Sequence, residues 1–197
     1  MSQHVIWSEP SVSKAERRAI RGHHSLVLWL TGLSGAGKST IGKALERKLY
    51  ETGHHTFLLD GDNLRKGINA DLGFSPPDRQ ENVRRTAEIA KLFVESGTIV
   101  IAALISPFRA DREWVRRQFA EDEFVEVFVD CPLEVCQSRD PKGLYQQARQ
   151  GAIPQFTGLA SPYEPPISPE IVLHTDRLSI DDCVTRIIQY MDDCGWL

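Results

Sequence analysis

The sequence has no apolar run able to cross a bilayer. Its longest, residues 99–105, falls far short of the roughly 20 residues a spanning helix needs. The N-terminal residues also lack an apolar signal core, so a cytoplasmic location with no membrane partner is expected. Basic residues form no long block and the net charge is -4, which makes nucleic acid a poor partner. Cys131, Cys136, Cys183 and Cys194 lack CxxC spacing, which argues against a zinc or disulfide framework and for reduced thiols in core or incidental roles. There is no internal repeat and no low-complexity tract. What remains is 197 residues, 41% hydrophobic and 25% charged, enough for one α/β domain with a sizeable core.

Against that plain background one string stands out. Gly32, Leu33, Ser34, Gly35, Ala36, Gly37, Lys38 and Ser39 spell G-x-x-x-x-G-K-S directly after the apolar run 26–30. Glycines let successive backbone N–H groups surround phosphates, the lysine reaches the β/γ-oxygens, and the serine hydroxyl can coordinate Mg²⁺. A helix opening near Lys38 adds its positive dipole end. The string predicts a grip on a nucleoside triphosphate without saying which reaction follows.

The rest of the pattern predicts strands at 26–31, 55–59, 98–105, 124–129 and 171–174. Helices are expected near 38–52, 63–69, 79–96, 109–119, 132–138 and 144–149, with an amphipathic one carrying Val184, Ile187, Ile188 and Met191. This alternation is that of a P-loop NTPase-type three-layer α/β fold, a mostly parallel sheet flanked by helices. Residues 1–25 read as an arm with a short helix, Trp7 packing somewhere on the domain formed by 26–197. The proline-bearing stretch 140–170 reads as a lid or substrate loop.

In an open parallel sheet ligands sit beyond the carboxyl ends of the strands, so polar residues there carry most functional weight. Asp60 and Asp62 flank Gly61 after the second strand, placing two carboxylates beside the phosphate cradle for Mg²⁺ and for orienting or deprotonating an attacking hydroxyl. The alternative is that one of them caps the next helix. Asp130, ending a Walker-B-like run, is expected to cap the helix entered through Pro132. Asp78 with Glu81 resembles a capping box, which would aim Arg79 and Asn82 from the inward side of their helix toward the site. Arg65 and Arg109 follow strand-end loops, either as anion-binding forks or as surface ion-pair partners. Lys142 opens the lid, where a mobile cation can stabilise charge on a transferring phosphoryl group. Asp140-x-x-Gly143 matches a short GTPase pattern, but no NKxD guanine motif accompanies it.

These residues fall into blocks: 32–40 GLSGAGKST, 58–65 LLDGDNLR, 71–75 DLGFS, 78–84 DRQENVR, 105–109 ISPFR, 139–145 RDPKGLY and 156–158 FTG. In order and combination they resemble the adenylyl-sulfate kinase (APS kinase) family over essentially the whole chain. The resemblance implies transfer of the γ-phosphoryl of ATP to the 3′-hydroxyl of adenosine 5′-phosphosulfate (APS), with Mg²⁺ held by Ser39 and Asp62. It further implies that Lys38, Asp62, Ser106 and Lys142 are catalytic, that residues 32–40 through Thr40 and also Arg139 hold ATP, and that Phe74 and Phe156 sandwich the substrate adenine. Asp60, Arg65, Arg79, Asn82, Ile105 and Ser106 become substrate contacts.

A serine at the place of Ser106 is commonly assigned as a phosphoserine intermediate in bacterial members, although direct in-line transfer needs none. Leu159-Ala160-Ser161 departs from the family's more usual isoleucine-aspartate run. A homodimer, and a separate ATP sulfurylase acting upstream, are implied by the resemblance alone. Another small-substrate P-loop kinase, or a nucleotide-sensing module without turnover, remain the rival expectations.

Overall fold

The computed structural model describes Ser8 and residues 10–197; the expected patch at Val5, Ile6 and Trp7 lies outside the described residues. The first helix, α1 (Lys14–Arg21), opens at Ser13, whose side chain and that of Glu16 cap each other's backbone N–H. It lies over the domain through Lys14, which pairs with Glu95 at 3.0 Å and with Glu123 at 2.5 Å.

Five strands follow: β1 (Val27–Thr31), β2 (Thr56–Asp60), β3 (Ile99–Ala103), β4 (Phe124–Asp130) and β5 (Ile171–His174). They form one sheet in the order β2-β3-β1-β4-β5, and every pairing is parallel. Parallel strands need crossovers, and these are mostly helical: α2 (Lys38–Glu51), α3 (Gly61–Leu64), α4 (Pro76–Glu95), α5 (Arg109–Arg116), α6 (Leu133–Arg139) and α7 (Leu144–Arg149), with α8 (Ile180–Asp193) closing the chain.

Successive side chains of β1 point to opposite faces, and both faces are covered, which is why its sequence is continuously apolar. Leu28 and Leu30 join Ile41, Leu45 and Leu49 of α2 and Val184, Ile187 and Met191 of α8. Val27 and Trp29 join Val83, Ala87, Ala90 and Val94 of α4 and Val115 of α5. These are the three expected layers. The chain builds β3 to one side of β1 and β4 to the other, so the crevice for a ligand opens at the carboxyl end of β1, where the Gly-rich loop begins.

Several local expectations are corrected. Helix α4 begins at Pro76, because Pro suits the first helical turn. Its capping box is Ser75 with Asp78, the Ser75 hydroxyl donating to Asp78 Oδ2 at 2.6 Å. Glu81 instead accepts from Arg84 and Arg85 at 2.7 and 2.8 Å. Asp130 caps no helix: Pro132 holds the N-cap position of α6 without a side-chain bond, and Asp130 Oδ2 meets His174 Nδ1 at 2.9 Å. The helix expected at 63–69 is only α3, followed by turns through Asp71, and β3 ends two residues before Ile105. All four cysteines are free thiols, Cys131, Cys136 and Cys183 buried and Cys194 exposed. No helix among the described residues is long and apolar enough to cross a membrane.

Candidate active site

The Gly-rich loop is shaped by close backbone approach. A Cβ on Gly32 would lie 2.4 Å from the Val129 carbonyl oxygen, and one on Gly35, at φ +78°, would lie 2.9 Å from that of Cys136. No other residue type fits either position, so the first two glycines of the loop are consequences of its lying against β4 and α6. Two distant side chains fasten the same loop. Tyr145 donates its hydroxyl to the Ser34 carbonyl at 2.9 Å, and Thr175 donates to the Ala36 carbonyl at 2.8 Å.

Lys38 folds back inside this loop, its Nζ donating to the Gly32 and Leu33 carbonyls at 2.8 and 2.7 Å. Burial of the ammonium pushes its pKa down to about 8. Ser39 and Thr40 follow on the first turn of α2, beside one cavity of about 1020 Å³. That cavity is lined by Ser34 through Thr40, by Asp60, Asp62, Arg65, Phe74, Arg79 and Asn82, and by Ile105, Ser106, Arg139, Lys142 and Phe156. Gly32 is buried outside this lining, and Leu33 faces a separate hollow of about 610 Å³ behind residues 158–163.

The two acids after β2 have different surroundings. Asp60 is buried and its Oδ1 accepts the Asp62 N–H at 3.0 Å, capping α3. The capping alternative therefore holds for Asp60. Asp62 is exposed and its carboxylate pairs with Lys142, so a residue from the loop after α6 reaches the start of α3.

Across the cavity Arg79 is buried at the start of α4 and spends its guanidinium on neighbours. Nε donates to the Phe74 carbonyl at 2.8 Å, Nη1 to Thr157 Oγ1 at 2.6 Å, and Nη2 to the Gln155 carbonyl at 2.8 Å. Burial, and then the nearby Arg65, press the Arg79 pKa below its ordinary value. Arg65 donates to the Leu72 and Gly73 carbonyls at 3.1 and 2.7 Å, and its guanidinium lies 4.4 Å from the centre of the Phe74 ring. Burial also lowers the Arg65 pKa, partly offset by the nearby Asp78 and Asp62, and two neighbouring guanidiniums with no carboxylate hydrogen-bonded to either mark a place suited to an anion.

Asn82, also buried, accepts from Asn69 Nδ2 at 3.0 Å. Phe156 is buried edge-on to Tyr145, with ring centres 4.9 Å apart, while Phe74 is half exposed. Arg139 donates to the Thr175 carbonyl at 2.6 Å.

Ser106 is buried at φ +38°, outside the usual range for a non-glycine residue. Its Oγ accepts from Trp29 Nε1 at 3.1 Å and its carbonyl from Arg112 Nη1 at 2.6 Å. Arg109 is not in the cavity: its backbone N–H meets Glu164 Oε2 at 2.8 Å and its Nε the Pro165 carbonyl at 2.7 Å. The anion-binding alternative for Arg109 is thereby replaced by contacts to Glu164 and Pro165. Tyr145 and Thr157 lie inside the motifs with no task evident from them, and Thr175, Asn69 and Arg112 lie outside every motif. Tyr145, Thr157 and Thr175 act through partners far along the chain, and Arg112 does so in part through Glu164.

A triphosphate loop at the switch point of a parallel sheet, opening on one cavity with a cationic, aromatic far wall, defines a P-loop phosphotransferase. The adenylylsulphate kinase family matches residues 24–174, and the chain belongs to that family. It is 55% identical over 188 residues to the probable adenylyl-sulfate kinase of Halalkalibacterium halodurans, covering 95% of this chain and 93% of that one. It is 54% identical over 189 residues to the adenylyl-sulfate kinase of Marinobacter nauticus, covering 96% and 95%. Among solved structures, the Mycobacterium tuberculosis APS kinase CysC in complex with AMPPNP and APS superposes with a TM-score of 0.83 at 46% identity, over 86% of this chain and 99% of that one. A gluconokinase from Sinorhizobium meliloti shares the fold alone, at a TM-score of 0.59 and 16% identity.

Proposed function

We propose that this ATP-dependent kinase phosphorylates the 3′-hydroxyl of adenosine 5′-phosphosulfate, giving 3′-phosphoadenosine 5′-phosphosulfate and ADP. The observation that carries this is the joining, in one cavity of about 1020 Å³, of the Lys38 loop to the Arg65–Phe74–Arg79–Asn82 wall. Such a volume suits two nucleotides end to end, at the upper end of ordinary ligand pockets. Family membership and the relative solved with AMPPNP and APS support the same reading.

On this reading residues 32–40 hold the ATP phosphates, and Lys38 exchanges its two carbonyl partners for β/γ-oxygens. Arg139, with Thr175 beside it, receives the donor base. Arg65, Arg79 and Asn82 receive the phosphosulfate and ribose of the acceptor, with Asp60, Ile105 and Ser106 close by. Phe74 and Phe156 enclose its adenine. Asp62 orients or deprotonates the hydroxyl. Lys142 leaves Asp62 for the transferring group; both side chains are more than half exposed, so breaking the pair costs little.

Mg²⁺ fits the donor set present. The described residues hold no cluster of three or more acidic, histidine or cysteine side chains suited to a metal. That matches an ion carried mainly by phosphates and completed by one or two protein oxygens, here Ser39 Oγ and Asp62. When bound it would neutralise charge on the β- and γ-phosphates. Ser106 Oγ accepts from a buried indole N–H and has no general base among its hydrogen-bond partners, so direct in-line transfer is the simpler chemistry.

Residues 26–197 would then act as one kinase domain with 140–170 as its lid, in the cytoplasm, as a homodimer supplied by a separate ATP sulfurylase. The test is a coupled ADP-release assay with Mg-ATP and APS, with identification of the 3′-phosphorylated product. Turnover with gluconate, shikimate or a nucleoside monophosphate, and none with APS, would overturn it.

A further inference from the structure

Arg112 is one of the most buried cations of the molecule, 3% exposed on α5, and it does not line the cavity. Its guanidinium joins three segments that no secondary structure connects. Nε donates to Glu126 Oε1 of β4 at 2.7 Å, Nη1 to the Ser106 carbonyl at 2.6 Å, and Nη2 to the Glu164 carbonyl at 2.6 Å. Glu126 is itself held in place, its N–H donating to Glu170 Oε2 at 2.6 Å while Arg116 grips Glu170 through both oxygens at 2.7 and 2.8 Å. The fork thus has a fixed root and two backbone carbonyls at its tips.

Both tips lead to the acceptor half of the cavity. Ser106 sits in a left-handed conformation that a serine rarely adopts, so something must hold it there; the Arg112 bond to its carbonyl does so from behind. Glu164 belongs to the segment that begins with Phe156 and Thr157, and its own N–H donates to the Pro107 carbonyl at 2.9 Å. Next to it the Tyr163 ring lies 5.7 Å from the Arg112 guanidinium, and its hydroxyl meets Thr31 Oγ1 at 3.0 Å, Thr31 in turn donating to the Ile105 carbonyl at 2.8 Å. The wall formed by Ile105 and Ser106 and the segment bearing Phe156 are therefore locked to one another through Arg112.

We propose that Arg112 is a positioning residue for the acceptor nucleotide: it sets the Ile105–Ser106 backbone and the 156–164 segment at a fixed separation without touching substrate. This rests on the proposed reading of the cavity. Lysine can keep the charge beside Glu126 but cannot reproduce a planar fork bonded to three acceptors, so it should not restore the function.

The test is steady-state kinetics of Arg112→Lys and Arg112→Ala with APS and ATP varied separately, alongside circular dichroism and thermal melting. For Arg112→Lys the expected result is a folded protein whose KM for APS rises about tenfold or more, with the KM for ATP within about twofold of the unaltered protein. An unchanged KM for APS, or equal rises for both nucleotides, overturns the proposal. So does failure of both variants to fold, which would assign Arg112 a purely structural role. Absence of APS turnover by the unaltered protein overturns the functional reading itself, and the positioning role falls with it.

Discussion

Arg79 Nη1 donates to Thr157 Oγ1 at 2.6 Å, joining the first turns of α4 to the segment that carries Phe156. With Nε on the Phe74 carbonyl and Nη2 on that of Gln155, one side chain spaces the two phenylalanines proposed to enclose the acceptor base. Replacing Arg79 by Ala leaves the buried Thr157 Oγ1 and two part-buried carbonyls, on the exposed residues Phe74 and Gln155, without their donor. A loss of about 2–4 kcal/mol in stability is expected, together with a raised KM for APS. Urea denaturation and APS titration measure the two effects; an unchanged denaturation midpoint would show that water replaces the guanidinium freely.

Lys38 couples nucleotide binding to pH. Its pKa of about 8 in the free protein means that above this pH the ammonium is increasingly lost, whereas phosphate oxygens favour the charged form. ATP binding should therefore take up a proton above pH 8 and lose up to about tenfold in affinity per pH unit there, with little dependence below pH 7. Calorimetry in buffers of different ionisation enthalpy reads the proton directly. Lys38→Ala should remove the uptake and abolish turnover while the protein stays folded.

Ser106→Ala separates two mechanisms. Direct transfer predicts turnover within about tenfold of the unaltered protein and a stability loss of about 1 kcal/mol from the Trp29 hydrogen bond. A phosphoserine intermediate predicts a loss of several orders of magnitude in kcat, because the acceptor atom is gone. Rapid-quench kinetics with labelled ATP checks both.

The far end of the sheet carries a pH-sensitive joint. His23 Nδ1 meets the His24 carbonyl at 2.8 Å, and its Nε2 lies 3.0 Å from the His55 N–H, an arrangement that requires the neutral ring with its proton on Nδ1. Burial lowers the pKa of His23, and burial likewise lowers those of His24 and His55, below the ordinary 6.5. Between the folded and unfolded pKa values the unfolded chain binds more protons, so stability is complete above about pH 6.5 and falls as pH drops below it. The fall is at most about 1.4 kcal/mol per pH unit for each histidine. Denaturation midpoints from pH 8 to 5 should show this slope, reduced in His23→Gln.

Much of the fold was legible because its causes are local. The apolar runs of β1 and β3 are strands buried on both faces, and the spacing of Val83, Ala87, Ala90 and Val94 turned Arg79 and Asn82 inward. Local competition also explains the errors. Asp78 stands three residues before Glu81, but Pro76 and Pro77 start the helix earlier, so Ser75 becomes the N-cap and Asp78 its partner. Asp130 had a plausible helix two residues ahead, but His174 on the neighbouring strand β5 took its carboxylate.

By itself the sequence determined the phosphate loop and the parallel order of strand and helix, since these depend on backbone sterics and on periodicity within a few residues, and its ordered motif blocks carried the resemblance to the family. Only the tertiary structure decided how the two carboxylates divide, Asp60 being bound as a cap while Asp62 meets Lys142 eighty residues away. It alone placed Tyr145 and Thr175 on the loop and Arg112 behind Ser106. Such partners are chosen by the approach of segments through the packed core, and no spacing along the chain encodes that approach.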